Sequence, residues 1–116
     1  MSHKSTITID VTMDETRIPA GISWQATDTG SGNAQNAKAM MLSFWDSADK
    51  AALRIDLWTK DMMVDEMADF FYQTLMTMAD TYGRATNHEE IVAEMKKSAR
   101  TFYERAKAKQ LEEHKA

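Results

Sequence analysis

The chain predicts an α+β protein: a two-layer arrangement in which a four-stranded antiparallel sheet is followed by two C-terminal helices packed on one face, in the order ββββαα. Two observations carry this. The first half of the 116 residues alternates apolar and polar side chains with the period of strands, and the second half repeats apolar residues with the period of helices. A third is that no Pro/Gly/Ser-rich break is long enough to separate two cores, so residues 1–116 read as one domain with flexible ends over about 1–5 and 110–116.

Residues 6–13 place Ile7, Ile9, Val11 and Met13 on one face and Thr6, Thr8, Asp10 and Thr12 on the other, which predicts the first strand. Pro19 and Gly21 read as part of a connection into a second strand, where Ile22, Trp24 and Ala26 share a face. A Gly30-Ser31-Gly32 loop follows, with too few glycines for a phosphate cradle. Residues 39–46 and 52–60 predict a hairpin whose alternation also fixes its register: Phe44 opposite Leu53, Leu42 opposite Ile55, Met40 opposite Leu57, with residues 47–50 as the turn.

Beyond Lys60 the period lengthens. Val64, Met67, Ala68, Phe71, Leu75, Met78, Ala79 and Tyr82 form one helical stripe, with Asp61, Asp65 and Glu66 near its start and Gly83 as its expected stop. Asn87 with Glu90 resembles a capping box for a second helix through Ile91, Met95, Ala99, Phe102 and Ala106, fading into a charged tail. The helices are expected to seal the sheet face bearing Ile7, Ile9, Val11, Leu42, Phe44, Ile55 and Leu57, so that Ile55→Asp should damage the fold far more than Arg54→Asp.

Composition narrows the function. A net charge of −4 offers no general attraction for phosphate backbones, which argues against nucleic acid. Cys is absent, so packing rather than disulfides must hold the fold. No apolar run matches a secretory signal or a membrane span, so the expected location is cytoplasmic, without direct membrane insertion. The basic segment 96–109, with Lys96, Lys97, Arg100, Arg105, Lys107 and Lys109, reads as a helix end complementing the dipole, or else as a dock for an acidic partner.

No catalytic, metal or cofactor site is expected. His88 is followed four residues later by Val92 where a zinc-protease pattern needs a second histidine, and there is no Cys nucleophile or Gly-flanked Ser elbow. The expectation is therefore a protein that is not an enzyme. Among the ten methionines, Met67 and Met78 belong to the helical stripe, whereas Met62, Met63 and Met76, like Phe70, fall off it and are candidates for an interface. The sharper candidate is the second face of the hairpin, where Met41, Trp45 and Trp58 supply aromatic and methionine anchors with Arg54 and Asp56 as polar neighbours. The register sets the two tryptophans toward opposite ends of that face. If exposed, it could pair two copies sheet to sheet as a homodimer.

The stretches Ala39-Met40-Met41-Leu42-Ser43-Phe44-Trp45-Asp46, Leu53-Arg54-Ile55-Asp56-Leu57-Trp58-Thr59-Lys60-Asp61-Met62, Val64-Asp65-Glu66-Met67 and Met78-Ala79-Asp80, with Ile18-Pro19 and Ile22-Ser23-Trp24 before them, closely resemble the gliding-motility protein GldC family. The resemblance covers nearly the whole chain outside the 30–36 loop and the basic tail, and departs at Met63, where the family pattern has a proline. It implies a small soluble accessory protein of bacterial gliding motility that is not an enzyme; together with the exposed-anchor reading of the hairpin, the leading expectation is contact with a protein partner of the gliding machinery. It transfers no catalytic residue. A second possibility is a chaperone-like binding module, since strands followed by two helices look like the export chaperone SecB in topology.

Overall fold

In the computed structural model, which describes residues 3–27 and 33–115, the chain divides into two compact units, Met1–Met62 and Met63–Ala116. The first is all β. Strands β1 (Ile7–Met13), β2 (Pro19–Ala26) and β3 (Gln35–Ala37) form one antiparallel sheet in the order β1-β2-β3, and β4 (Ala39–Asp46) and β5 (Ala51–Trp58) form a second, two-stranded sheet. The second unit is a helical hairpin of α1 (Val64–Thr86) and α2 (Glu89–Lys115).

The α+β class stands, but the single four-stranded sheet does not: the described residues form five strands in two small sheets. The unforeseen strand, Gln35-Asn36-Ala37, is short and polar, so it shows no alternation, and it is defined by pairing Ile22↔Ala37 and Trp24↔Gln35. Lys38 alone separates β3 from β4 and passes the chain from one sheet to the other. The Gly30-Ser31-Gly32 loop lies outside the described residues.

Strand β2 also begins earlier than expected. Pro19 is its first residue, a position that requires no ladder donor, and pairs with Met13 across a register shift at Thr12/Met13. Asp14 closes the corner between β1 and β2. Its Oδ1 accepts from the Thr16 N–H at 2.8 Å, the Thr16 hydroxyl at 2.7 Å and the Ile18 N–H at 3.0 Å. These bonds hold a turn in which Arg17 takes a positive φ of 65°.

The β4–β5 ribbon follows the expected register throughout: Phe44↔Leu53, Leu42↔Ile55 and Met40↔Leu57. Its turn is fixed by Asp46 Oδ1, which accepts from the Ala48 N–H at 2.9 Å. The aliphatic face expected to be sealed is open at three of its central positions: Phe44, Leu53 and Ile55 are 59, 54 and 51% exposed, and Ile7 on β1 is exposed as well. With only two strands in this sheet, each side chain has cross-strand neighbours on one flank only. The core of the β unit sits instead at Ile22, 3% exposed and opposite Val11, and at Thr59, 2% exposed. Thr59 ties the sheets together, its N–H and hydroxyl both donating to the Lys38 carbonyl at 2.7 and 3.0 Å, while the Lys60 N–H donates to Pro19 at 3.1 Å.

In the helical unit α1 and α2 pack through alanines: Ala68, Ala79 and Ala99 are buried, small side chains that let two helices approach closely. Met63 is the N-cap of α1, and its N–H donates to Glu66 Oε1 at 3.2 Å. Helix α1 does not stop at Gly83. It runs on to Thr86, and Asn87 closes it with φ 61° and its N–H on the Gly83 carbonyl at 2.8 Å. Asn87 is therefore the left-handed cap of α1 rather than the start of α2, and Gly83 serves packing: a Cβ there would lie 3.0 Å from Val92 Cγ2. The expected fade of α2 into a charged tail is also corrected, since the helix continues to Lys115.

Candidate interaction surface

The five residues singled out in the sequence, Met41, Trp45, Arg54, Asp56 and Trp58, lie on one face of the β4–β5 ribbon, because each occupies or opposes a position of the same parity: Ala39↔Trp58, Met41↔Asp56, Ser43↔Arg54 and Trp45↔Ala52. Along the ribbon the order is indole, Met41 with Asp56, Ser43 with Arg54, indole. The tryptophans are thus separated by six positions, ~20 Å of strand. Trp45 is 68% exposed and Trp58 59%, whereas Met41 is half-buried.

The centre of the face is polar and internally neutralised. Arg54 donates through Nε to Asp56 Oδ2 at 3.1 Å and through Nη2 to Oδ1 at 2.9 Å, a two-pronged pairing between residues two apart on one strand. Such a fork fixes the guanidinium plane between the indoles. The opposite face presents Phe44, Leu53 and Ile55 to solvent, so both sides of this ribbon carry exposed apolar area.

The methionines off the helical stripe divide. Met63 is 62% exposed, while Met62, Met76 and Phe70 are half-buried. Two residues of the basic segment are engaged inside the hairpin: Lys96 pairs with Asp80 at 2.7 Å, and Lys107 reaches Asp69 at 3.4 Å and lies 5.0 Å from the centre of the Tyr103 ring, whereas Lys97, Arg100, Arg105 and Lys109 are exposed. Because α2 extends to Lys115, this segment lies in the body of the helix rather than in its last turn.

Two polar arrangements left no mark in the sequence: one is a local turn at Asp14 that is also tied to the distant Lys60, and the other joins residues on two different helices. In the first, the Ile18 N–H and the Thr16 hydroxyl hold the Asp14 carboxyl well below the usual carboxylate range, outweighing its desolvation, and Lys60 Nζ adds an ion pair at 3.3 Å. In the second, the Tyr103 hydroxyl donates to Asp69 at 2.8 Å and lowers its pKa, with Lys107 adding to the effect. The Lys107 ammonium pays a desolvation penalty that its contacts with Asp69 and Tyr103 outweigh, leaving its pKa raised. Both arrangements brace turns and helix packing. His88 sits at the helical turn, where its Nδ1 lies 3.2 Å from the Tyr82 hydroxyl. Among the described residues no group of three or more His, Asp or Glu side chains is placed to hold a metal ion, and no helix is long and apolar enough to cross a membrane.

The molecule is thus an α+β protein whose most exposed aromatic residues stand on a two-stranded ribbon beside a helical hairpin in sequence. The chain belongs to the GldC-like family of gliding motility-associated proteins, whose model matches residues 19–108, as the resemblance anticipates. No curated protein and no solved structure matches it.

Proposed function

We propose that this chain is a non-enzymatic accessory protein of bacterial gliding motility, working in the cytoplasm by protein–protein contact, with Met41, Trp45, Arg54, Asp56 and Trp58 as the surface that meets a component of the gliding machinery. The supporting observation is the exposure of both indoles on one face of the ribbon, at 68 and 59%. Tryptophan is the residue whose burial most often dominates an interface, and a two-stranded ribbon alone is marginal in water, so a partner covering this face would stabilise the ribbon as well as gain the contact. The Arg54–Asp56 fork makes the centre neutral, so the fitting partner is an apolar or aromatic protein surface rather than a polyanion.

The reading is tested by placing a photo-crosslinking residue at Ser43, midway between the indoles, in gliding cells. The expected result is an adduct with a motility component that disappears in the Trp45→Ala/Trp58→Ala double variant together with gliding. A double variant that folds and still supports full gliding would sink it.

A second reading, a chaperone-like binding module, draws support from Phe44, Leu53 and Ile55 on the reverse face. It requires that stoichiometric protein suppress aggregation of an unfolded client, and no suppression removes it.

A further inference from the structure

The helical hairpin has an apolar side that its two helices do not cover between themselves. On α1, Val64, Phe71 and Met78 recur every seven residues and are all exposed, Val64 at 72%. On α2, Ile91 and Phe102 stand about three turns apart and are also exposed. Phe71 and Phe102 join the two stripes, their ring centres 6.2 Å apart, beside an open hollow of about 320 Å³ that Val64, Met67 and Ala106 also line.

One step around α2 from Ile91 and Phe102 runs an exposed row in which charge is segregated: Glu90 and Glu94, then Ser98 and Thr101, then Arg105 and Lys109. Within a single helix this order sets like charges side by side, relieved in part by Lys97 three residues from Glu94 and by Glu113 four residues from Lys109. Glu90 and Glu94 are like charges four residues apart, and so are Arg105 and Lys109. The helix dipole accounts for Glu90 in the first turn but not for the rest, because α2 spans Glu89–Lys115 and Arg105 lies well before the last turn, where the dipole effect has faded. Lys109 is 3.9 Å from Glu112, a loose pair between two largely exposed groups.

The row has a symmetry of its own. Glu94 and Arg105 are equidistant from a midpoint between residues 99 and 100, and so are Glu90 and Lys109. We infer that the open side of the hairpin is the seat of a second copy of this chain, docked about a two-fold axis with the two α2 helices antiparallel. Glu94 then meets Arg105 of the second copy, and Glu90 meets its Lys109. Each contact occurs twice, because a two-fold interface repeats every pairing. Ser98 faces Thr101 of the second copy at the axis, where small side chains let the helices come close. The charged row spans ~28 Å of helix and runs beside the exposed Ile91, Phe102 and Phe71, which supply the apolar area of the interface.

This surface is built from other residues than the tryptophan face of β4–β5, so the two proposals fail independently. The test is sedimentation of the full chain over a concentration series, with circular dichroism confirming that each variant keeps its helices. The expected result is a reversible dimer that Glu94→Lys and Arg105→Glu each weaken about tenfold, since either reversal sets two like-charge contacts into the interface, and that salt also weakens. Combining Glu94→Lys with Arg105→Glu restores opposite charges across the axis and should bring association back to near the wild-type level. Trp45→Ala/Trp58→Ala should leave it unchanged. A chain that stays monomeric, a dimer indifferent to both single reversals, or a combined variant weaker than either single one would overturn the inference.

Discussion

Tyr103 on α2 donates its hydroxyl hydrogen to Asp69 Oδ1 on α1 at 2.8 Å, and Lys107 approaches the same oxygen at 3.4 Å. The tyrosine is the larger cause of the lowered Asp69 pKa. A depressed carboxyl contributes stability that is complete above the ordinary carboxylate range, about 4, and is lost as pH falls through its lower folded value. The raised Lys107 contributes below the ordinary lysine value, about 10.4, and loses its contribution as pH climbs through the higher folded one. In Tyr103→Phe the Asp69 titration midpoint should move up toward the ordinary value, and the acid limb of the stability profile should become shallower. Carboxyl NMR titration, with urea midpoints measured from pH 2 to 7, reads both, and an unmoved Asp69 would show that the tyrosine is not its main support.

Asn87 ends α1 in the left-handed region at φ 61°, the conformation that costs an ordinary L-residue most and Asn or Gly least. Asn87→Gly should leave the thermal midpoint level or raise it. Asn87→Ala should cost about 1 kcal/mol, because alanine must adopt the same backbone with a Cβ and without the amide. Equal effects from the two substitutions would mean that the turn re-forms around another residue.

Sequence periodicity gave access to contacts made with near neighbours and to little else. The register Phe44↔Leu53 was legible because both strands alternate and the turn between them is short. The stripes of α1 and α2 were legible for the same reason. Strand β3 was not, because Gln35-Asn36-Ala37 carries no pattern and exists through its pairing with β2. Gly83 looks like a stop in the chain, yet its role is set by Val92, nine residues later. The tryptophan-bearing face could be placed by parity alone, while the exposure of its residues depends on what surrounds the ribbon, which no local pattern records.

The position of the β core yields a direct comparison. Ile22 is 3% exposed and sits between Val11 and Ala37 on neighbouring strands, whereas Ile55 is 51% exposed. Truncating a buried isoleucine to alanine costs roughly 2–5 kcal/mol, and a carboxylate in its place costs more because an unpaired charge must be buried. Ile22→Asp is therefore expected to unfold the β unit, with Ile55→Asp far milder, the reverse of the emphasis that alternation alone suggests. Denaturant midpoints of the two variants decide it, and a larger loss at Ile55 would mean that its face is covered in solution.

Gly83 and Val92 make the last prediction a coupled one. Glycine inside a helix normally costs about 1 kcal/mol relative to alanine, so Gly83→Ala would be stabilising if the site were open. It is not open: the added methyl would stand 3.0 Å from Val92 Cγ2, so α2 or the valine side chain must shift by a few tenths of an ångström. The expected result is that Gly83→Ala gains little or nothing in the wild-type background and about 1 kcal/mol in a Val92→Ala background, where the opposing methyl is gone. A double-mutant cycle on thermal or urea midpoints isolates the coupling. Additive effects would show that the two helices do not meet at this pair, and that Gly83 is tolerated rather than required by the close approach of α2.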